Sequence, residues 1–329
     1  FYQPGTYPFL KATIQFYSDK SVLENILKEI KEQERKKQEE EQKRLQELER
    51  LRQEEEQKKQ EEEKTRQEQL KLQEEERLKK AKEEEYKLRT IQSGSFRLHI
   101  DQHNRFHIYY GEQELTKGTG INIGMLSEGN WYSSCDSQIE IKRPSTHKML
   151  IQLIHNKLPL IYSWQIDFKP EGIVTWDVDI SFKESLRIDQ NNAYLFLSKS
   201  YNNWIASPEQ GSFPSSFGPN WQRMNACENN SEFIGLYSSL EEFPDIICKN
   251  SKDSKSLLII QNTDTNLSSR TLEFQIEDNK EFYQPGTYPF FKAEIQFYSD
   301  KSVLENILKK IREKERQKQE EERKKQEEE

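Results

Sequence analysis

The sequence predicts a very long charged α-helix joined to a large all-β sandwich, and three observations predict this. Residues 21–93 contain no Gly or Pro and consist mostly of Glu, Lys, Arg and Gln, which are good helix formers. Residues 94–300 instead alternate short apolar segments with Gly, Pro, Asn and Ser, a pattern typical of many short strands joined by turns. The beginning of the chain also recurs near its other end, which indicates a tandem repeat of about 281 residues.

The predicted helix has a start signal and a stop signal. Ser21 and Glu24 form a capping-box pattern just before an apolar group, and Ser93-Gly94 ends the run. At 1.5 Å per residue such a helix is on the order of 100 Å long. Because this length exceeds the diameter of an ordinary domain, the helix cannot be folded into one.

Charge pairs, rather than an apolar seam, are expected to hold this helix. A coiled coil needs apolar residues sustained over several heptads, yet no apolar residue lies between Lys31 and Arg44. Glu precedes a basic residue by four positions, the favourable orientation, at Glu32/Lys36, Glu39/Lys43, Glu40/Arg44, Glu54/Lys58, Glu55/Lys59, Glu62/Arg66, Glu75/Lys79, Glu76/Lys80 and Glu83/Lys87. Residues 28–90 therefore resemble single-α-helix, or ER/K-type, rods, which act as stiff spacers. A poorly packed coiled coil and a partly disordered charged linker are the alternatives.

The repeat sets the expected domain organisation. Residues 1–41 and 282–322 agree at 35 of 41 positions, with an offset of 281 residues. Such identity indicates a recent tandem duplication. We therefore expect residues 1–20 to be the last strands of a preceding β domain, 21–93 a rod, 94–300 a sandwich domain and 301–329 the start of the next rod.

An apolar stripe is predicted where each rod meets a domain. Its residues follow a helical spacing and occur twice, as Val22, Leu23, Ile26, Leu27 and Ile30 and as Val303, Leu304, Ile307, Leu308 and Ile311. We expect the stripe to dock the first turns of the rod on the domain, so that the rod leaves at a fixed angle. The alternative is a simple helix cap on the domain, which predicts the same contact.

The β region reads as a long series of strands. Residues 96–110 alternate apolar and polar residues on both sides of a Gln-His-Asn turn, which predicts a hairpin. Further strands are predicted at 113–117, 121–126, 130–134, 137–142, 147–155, 158–168, 172–182, 193–198, 233–238, 256–262, 271–277 and 291–298.

The order IDQHNRFHIYYGEQELTKGTG, GNWYSS and YSWQIDFKPEGIVTWDVDI resembles the galactose-mutarotase-like supersandwich over residues 94–298. This resemblance implies a supersandwich-like fold and contact with sugars. Mutarotase activity itself needs a pair of His residues and a Glu base, and the spacing of His147, His155 and Glu209 does not match those roles.

A ligand site is predicted in residues 199–224, the longest irregular segment, because long loops on a rigid sandwich often carry function. Five aromatic residues there are candidates for stacking on sugar rings or for an assembly contact: Tyr201, Trp204, Phe213, Phe217 and Trp221. The alternative is that they cover the core of the domain.

Other sites are not predicted. His99, Asp101, His103 and His107 share one hairpin, but no fourth ligand completes a zinc site.

Three cysteines, Cys135, Cys227 and Cys248, lack a CxxC spacing and leave the disulfide state open. We expect no metal and no cofactor. The net charge of −8 without a basic face argues against nucleic acid, and no apolar run is long enough to span a membrane.

The sequence thus predicts a structural protein without enzymatic activity. Sandwich domains on helical rods would form an extended fibre or surface stalk, outside the cell or at its surface, through contacts between neighbouring copies or repeats. The alternative is a carbohydrate-binding module presented on rigid spacers, with glycans as its partners.

Overall fold

A computed structural model describes residues 20–207, 209–225, 233–250, 256–276, 282–310, 313 and 316–317. The chain divides into two units, Phe1–Lys80 and Ala81–Glu329, and each is considered by itself. The predicted strands of residues 1–19, the thiol of Cys227, the side chain of Ile311 and the rod beyond residue 317 lie outside the described residues.

The long helix, α1, spans Lys20–Leu88 and has no buried residue. Four of the nine predicted charge pairs lie within 4 Å: Glu32/Lys36, Glu55/Lys59, Glu76/Lys80 and Glu83/Lys87. The bond between Glu55 and Lys59 lowers the pKa of the carboxyl and raises that of the ammonium group. Because all these pairs are exposed, each stabilises the helix only slightly.

The helix ends at Leu88, before the predicted stop at Ser93. Residues Thr90–Ser93 form strand β1, in which Ile91 pairs with Leu98 and is fully buried. Pairing with the next strand therefore overrides the helical pattern, and Gly94, with φ of 58°, makes the turn between the two strands.

Antiparallel strands build two small sheets. In spatial order, the four-stranded sheet contains β1, β2 (Phe96–Ile100), β3 (Phe106–Tyr110) and β4 (Gln113–Glu114). A two-stranded ribbon pairs β11 (Leu186–Arg187) with β20 (Phe282–Tyr283). The predicted hairpin is therefore β2–β3, and in its turn the Asp101 carboxylate accepts hydrogen bonds from the amides of His103 and Arg105.

Two larger sheets form the sandwich. The six-stranded sheet has the order β15 (Gln222–Arg223), β18 (Ser256–Asn262), β19 (Arg270–Ile276), β12 (Gln190–Leu197), β5 (Thr116–Ser127) and β6 (Asn130–Ser133). The nine-stranded sheet has the order β14 (Glu209–Ser212), β13 (Asn203–Ala206), β16 (Ile234–Tyr237), β17 (Asp245–Asn250), β21 (Gly286–Tyr298), β10 (Ile173–Phe182), β9 (Leu160–Phe168), β8 (Lys148–His155) and β7 (Ser137–Lys142).

Alternating side chains place the core between these sheets. Along β9 and β10 every second residue is buried, as expected for strands with one face on the core. Phe291 of the nine-stranded sheet lies edge-on to Trp176 of its own sheet and to Phe274 of the six-stranded sheet, at 4.8 and 4.9 Å between ring centroids. The predicted combination of a large β-sandwich and a long helix is confirmed.

A second helix, α2, begins directly after β21 and is described over residues 301–310. The Asp300 carboxylate caps it by accepting a hydrogen bond from the Ser302 amide at 2.9 Å. Leu304, only 3% exposed, packs with Ile205, Phe233 and Ile247 on the outer face of the nine-stranded sheet. Ile307 and Leu308 lie against the same cluster.

Candidate functional site

The structure disperses the five aromatic residues predicted to bind a ligand. Tyr201 is fully buried and its hydroxyl donates to the Pro244 carbonyl oxygen at 3.0 Å. Trp204 and Phe213 are also buried in the core. These three side chains cover the core, which is the alternative that the sequence left open, and no sugar ring can stack on them.

Phe213 and Phe217 both lie against an arginine side chain. The Arg270 guanidinium lies 4.6 Å from the ring centroid of each, which is within the range of cation–π attraction. The same group donates to the carbonyl oxygen of Pro214 at 2.9 Å and to the side chain of Asn262. These contacts fasten the segment of residues 213–217 to β18 and β19.

Trp221, the last of the five, lines an open groove. The groove has a volume of about 460 Å³ and lies on the face of the six-stranded sheet that points away from the core. The residues lining this "aromatic groove" are Asn122, Gly124, Trp131, Tyr132, Ser133, Asp136, Tyr194, Phe196 and Trp221. They come from β5, β6, β12 and the segments next to β6 and β15.

Strand alternation explains why these residues share a face. In β5, Ile121, Ile123 and Met125 are in the core, so Asn122 and Gly124 point to the other side. In β12, Ala193 and Leu195 are in the core. Tyr194 and Phe196 therefore face the groove.

Two partly exposed indoles flank the groove. Trp131 is 52% exposed and Trp221 is 38% exposed. Tyr194 and Phe196 stack on each other at 5.4 Å, and Trp221 stands edge-on to both at 6.1 Å. Tyr194 and Phe196 thus form an aromatic floor that Trp221 contacts edge-on, and Trp131 lines the same groove.

The absence of a side chain at Gly124 lets the rings of Tyr194 and Trp131 pack closely against β5. A Cβ at this position would lie 2.9 Å from the Tyr194 ring and 3.3 Å from the Trp131 indole. Trp131 itself follows the β5–β6 turn, in which Glu128 and Gly129 both have positive φ. A tight turn and a missing side chain thus let the indole lie across the sheet.

Polar groups also line the groove. The Asn122 side-chain oxygen accepts hydrogen bonds from the hydroxyls of Ser133 and Ser134, each at 2.9 Å. Asp136 is the one charged residue among the groove-lining residues, all of which lie in the described part of the chain. Hydroxyl, amide and carboxylate groups beside an aromatic floor are suited to a ligand that is apolar on one face and polar at its edge.

A buried carboxylate connects to the floor through Asn192. The Asn192 side-chain nitrogen donates to the Tyr194 hydroxyl and to Glu273, both at 2.7 Å, and Gln261 donates to the other Glu273 oxygen. Burial raises the pKa of Glu273 to about 7, although the Gln261 hydrogen bond and the Arg223 charge lower it in part. Glu273 is therefore partly protonated near neutral pH.

Glu273→Gln is expected to remove a pH-dependent loss of stability. A carboxyl whose pKa is raised from 4.5 to about 7 in the folded state destabilises the fold as pH rises through that window, because the unfolded state releases its proton first. The shift corresponds to about 3 kcal/mol at most. Urea unfolding at pH 5 and pH 8 should show a smaller difference for the variant, in which Gln261 can turn its amide to pair with the substituted amide side chain. An equal difference in both proteins would contradict this role.

Sequence reasoning missed Trp131 and Tyr194. Trp131 lies in the segment GNWYSS, shortly after Glu128-Gly129. This turn sequence could have indicated an exposed aromatic residue at the start of a strand. Tyr194 lies inside an apolar strand, where its face cannot be assigned before the register with β5 is known.

The histidines of the first hairpin serve local contacts. His107 lies 2.7 Å from Glu114 and 3.4 Å from Asp101, and His99 lies 2.9 Å from the Thr90 hydroxyl. In the described part of the chain no group of three or more His, Cys, Asp or Glu residues is arranged to hold a metal. The ring nitrogen Nδ1 of His155 accepts hydrogen bonds from the backbone amides of Lys157 and Leu158. The side chains of His147 and Glu209 are exposed.

Neither of the two described cysteines forms a disulfide. Cys135 and Cys248 carry free thiols, and burial raises the pKa of Cys135 to about 11. Over the described residues, no helix combines the length and the apolar character that crossing a bilayer requires.

Comparison with known proteins gives matches among solved structures alone. No protein-family model and no curated protein sequence matches the chain. An α-N-acetylgalactosaminidase from Bifidobacterium bifidum is similar with a TM-score of 0.45 and 12% identity, over 63% of this chain and 35% of that one. An aldose epimerase homologue from C. elegans is similar with a TM-score of 0.41 and 9% identity, over 64% of this chain and 97% of that one.

An α-mannosidase from Enterococcus faecalis is also similar, with a TM-score of 0.40 and 9% identity over 64% of this chain and 29% of that one. This chain thus spans about a third of the two glycosidase chains that it matches. The prediction that the chain is not an enzyme is contradicted by these comparisons, in which the similar structures are those of carbohydrate-active enzymes. At this level of identity the likeness concerns the fold.

Proposed function

We propose that the β domain binds a neutral glycan in the aromatic groove. The observation that carries the proposal is the pair of partly exposed indoles, Trp131 and Trp221, which line one groove together with Tyr194 and Phe196. The C–H groups on one face of a pyranose ring are apolar and pack on an aromatic ring, whereas its hydroxyls need hydrogen-bonding partners. The groove supplies both kinds of contact within about 460 Å³.

Charge favours a neutral sugar over an anionic one. Asp136 is the one charged residue that lines the groove, and none of the lining residues, which all lie in the described part of the chain, is basic. A uronic acid or a sulfated sugar would place like charges together, which disfavours binding.

Titration of the full chain with oligosaccharides tests this function. We expect neutral oligosaccharides to change the tryptophan fluorescence saturably, because two indoles lie in the groove, and uronic-acid oligomers to bind more weakly. Absence of saturable binding across neutral, amino and acidic sugars would contradict the proposal. Tighter binding of the acidic sugars would contradict the proposed specificity.

We also propose that the charged helix works as a spacer and that repeated copies build an extended fibre or stalk. Two observations favour this: the 35 identical residues in the two copies of the 41-residue segment, and the start of α2 directly after β21, with Lys301 fixed to the domain. The Lys301 ammonium group donates to Asp245 at 2.6 Å and to the Phe243 and Ser238 carbonyl oxygens at 2.6 and 3.1 Å. Each helix would then leave its domain in a defined direction.

Electron microscopy of a protein with several repeats tests the spacer role. We expect globular domains at regular intervals set by the helix length. Irregular or collapsed spacing would contradict the proposal. A position outside the cell or at its surface, where such a stalk would act, stays a prediction that surface biotinylation of intact cells would check.

A further inference from the structure

One sequence occurs in two different environments in this chain. Residues 20–30 and 301–311 differ at a single position, Glu29 against Lys310. Leu304 is 3% exposed, whereas its counterpart Leu23 is 47% exposed. Leu27 and Ile30 are also about half exposed. Among the residues that the structure describes, the same apolar stripe therefore packs on a cluster in one copy and is exposed in the other.

The covered copy shows what surface this stripe fits. We call this surface the helix-docking patch: Ile205, Phe233 and Ile247, with Tyr237 and Tyr298 at its edge. Ile205 and Ile247 lie on β13 and β17 and point away from the main core. Leu304 enters the centre of the patch and Ile307 and Leu308 pack beside it.

A charged contact accompanies the apolar one. Lys301 reaches the carboxylate of Asp245, which is 2% exposed, and two carbonyl oxygens next to it. Lys20 stands at the equivalent position of the first copy and is exposed. The first copy therefore carries both the aliphatic residues and the cation that the patch receives.

We infer that the stripe Val22, Leu23, Ile26, Leu27 and Ile30 docks on the helix-docking patch of a second copy of this β domain. The patch of the domain described here is already covered by Leu304, so the partner is another copy. The two sides of the contact are different surfaces of the chain. Such heterologous contacts join copies head to tail and do not close on themselves.

The stripe of another chain competes for the patch with the chain's own helix of residues 301–310. The helix of residues 301–310 is tethered next to its own patch, and tethering gives an effective concentration in the millimolar range. A stripe from another chain, nearly identical in sequence, therefore docks only on a patch whose own helix has been released. Releasing that helix should convert monomers into head-to-tail multimers.

Leu304→Asp in the full chain tests the inference by sedimentation velocity. An aspartate in the centre of the patch should release α2, and the vacated patch should receive residues 22–30 of another chain. We expect multimers that grow with protein concentration. Adding Leu23→Asp, which removes the matching contact of the donor stripe, should restore the monomer, and Leu45→Asp, at an exposed helix position outside the stripe, should not.

Two outcomes would overturn the inference. One is a Leu304→Asp chain that stays monomeric while its near-ultraviolet circular dichroism shows a folded domain. The other is multimer formation that persists with Leu23→Asp, since the exposed patch would then associate with itself. If the Leu304→Asp chain does not fold, the double variant Ile307→Asp/Leu308→Asp changes two partly buried residues of the same helix. It should also release the helix, and sedimentation velocity again measures whether multimers form. Nothing in this docking depends on the groove, so failure of glycan binding leaves it unaffected.

Discussion

Gly120→Ala is expected to destabilise the β domain by about 3 kcal/mol or more, the range of mutations that force a steric overlap in a fixed backbone. Gly120 has a φ of +66°, which disfavours any side chain, and its Cβ would overlap the carbonyl oxygen of Phe106 and lie 2.7 Å from the carbonyl carbon. Those atoms belong to backbone in β3 and cannot turn aside. Because Gly120 lies on β5, two residues before Asn122, the distortion should also weaken glycan binding.

Gly118→Ala is the matched control. Gly118 has a nearly equal φ of +62°, yet no atom lies within 4 Å of a Cβ added there. It should therefore show the cost of the backbone conformation alone, about 1–2 kcal/mol. Urea unfolding followed by tryptophan fluorescence measures both variants. Equal free energies of unfolding for the two would contradict the close approach of β3 and β5.

Trp131→Ala and Trp221→Ala are each expected to weaken glycan binding about tenfold. Loss of one aromatic stacking contact is worth about 1.5 kcal/mol, which corresponds to a factor of about ten. Together the two changes should lower affinity about a hundredfold if the indoles contact different parts of the ligand. Fluorescence is unsuitable for variants that lack the reporter, so isothermal titration calorimetry should be used.

The control for this pair is Phe282→Ala. Phe282 is 57% exposed on β20 and does not line the groove, so its loss removes exposed aromatic surface without touching the proposed site. We expect unchanged affinity. Wild-type affinity in both tryptophan variants, or an equal loss in Phe282→Ala, would show that binding occurs elsewhere.

The main architecture could be predicted from local patterns. Alternation of apolar residues from Leu160 to Phe182 indicates two half-buried strands, and β9 and β10 form there. The absence of Gly and Pro from residue 21 to 88 likewise indicates the helix. Both signals are local, because the period of each pattern follows from the geometry of a single element.

Local patterns fail where pairing between distant segments decides the structure. Thr90–Ser93 continues the helical composition but pairs with β2, and β13–β15 form within a stretch that reads as irregular. Tyr201 and Trp221 stand in the same aromatic-rich segment, yet one is fully buried and the other 38% exposed. The face that each side chain occupies is set by the packing of the sheets, which spacing along the sequence does not contain.

The groove could not be predicted for the same reason. Its walls come from residues about 90 positions apart, Trp131 and Trp221, and its floor depends on the register of β12 with β5, in which Tyr194 pairs with Asn122. No single segment carries the whole site. The sequence could therefore indicate contact with sugars by resemblance, but it could not indicate where.

A crystal structure of the full chain with the tightest-binding neutral oligosaccharide would test the groove most directly. We predict a sugar ring packed on Trp131 or Trp221 above Tyr194, with hydroxyls in hydrogen-bonding distance of Asn122 or Asp136. Sugar bound at another surface of the domain, with the groove empty, would contradict the assignment.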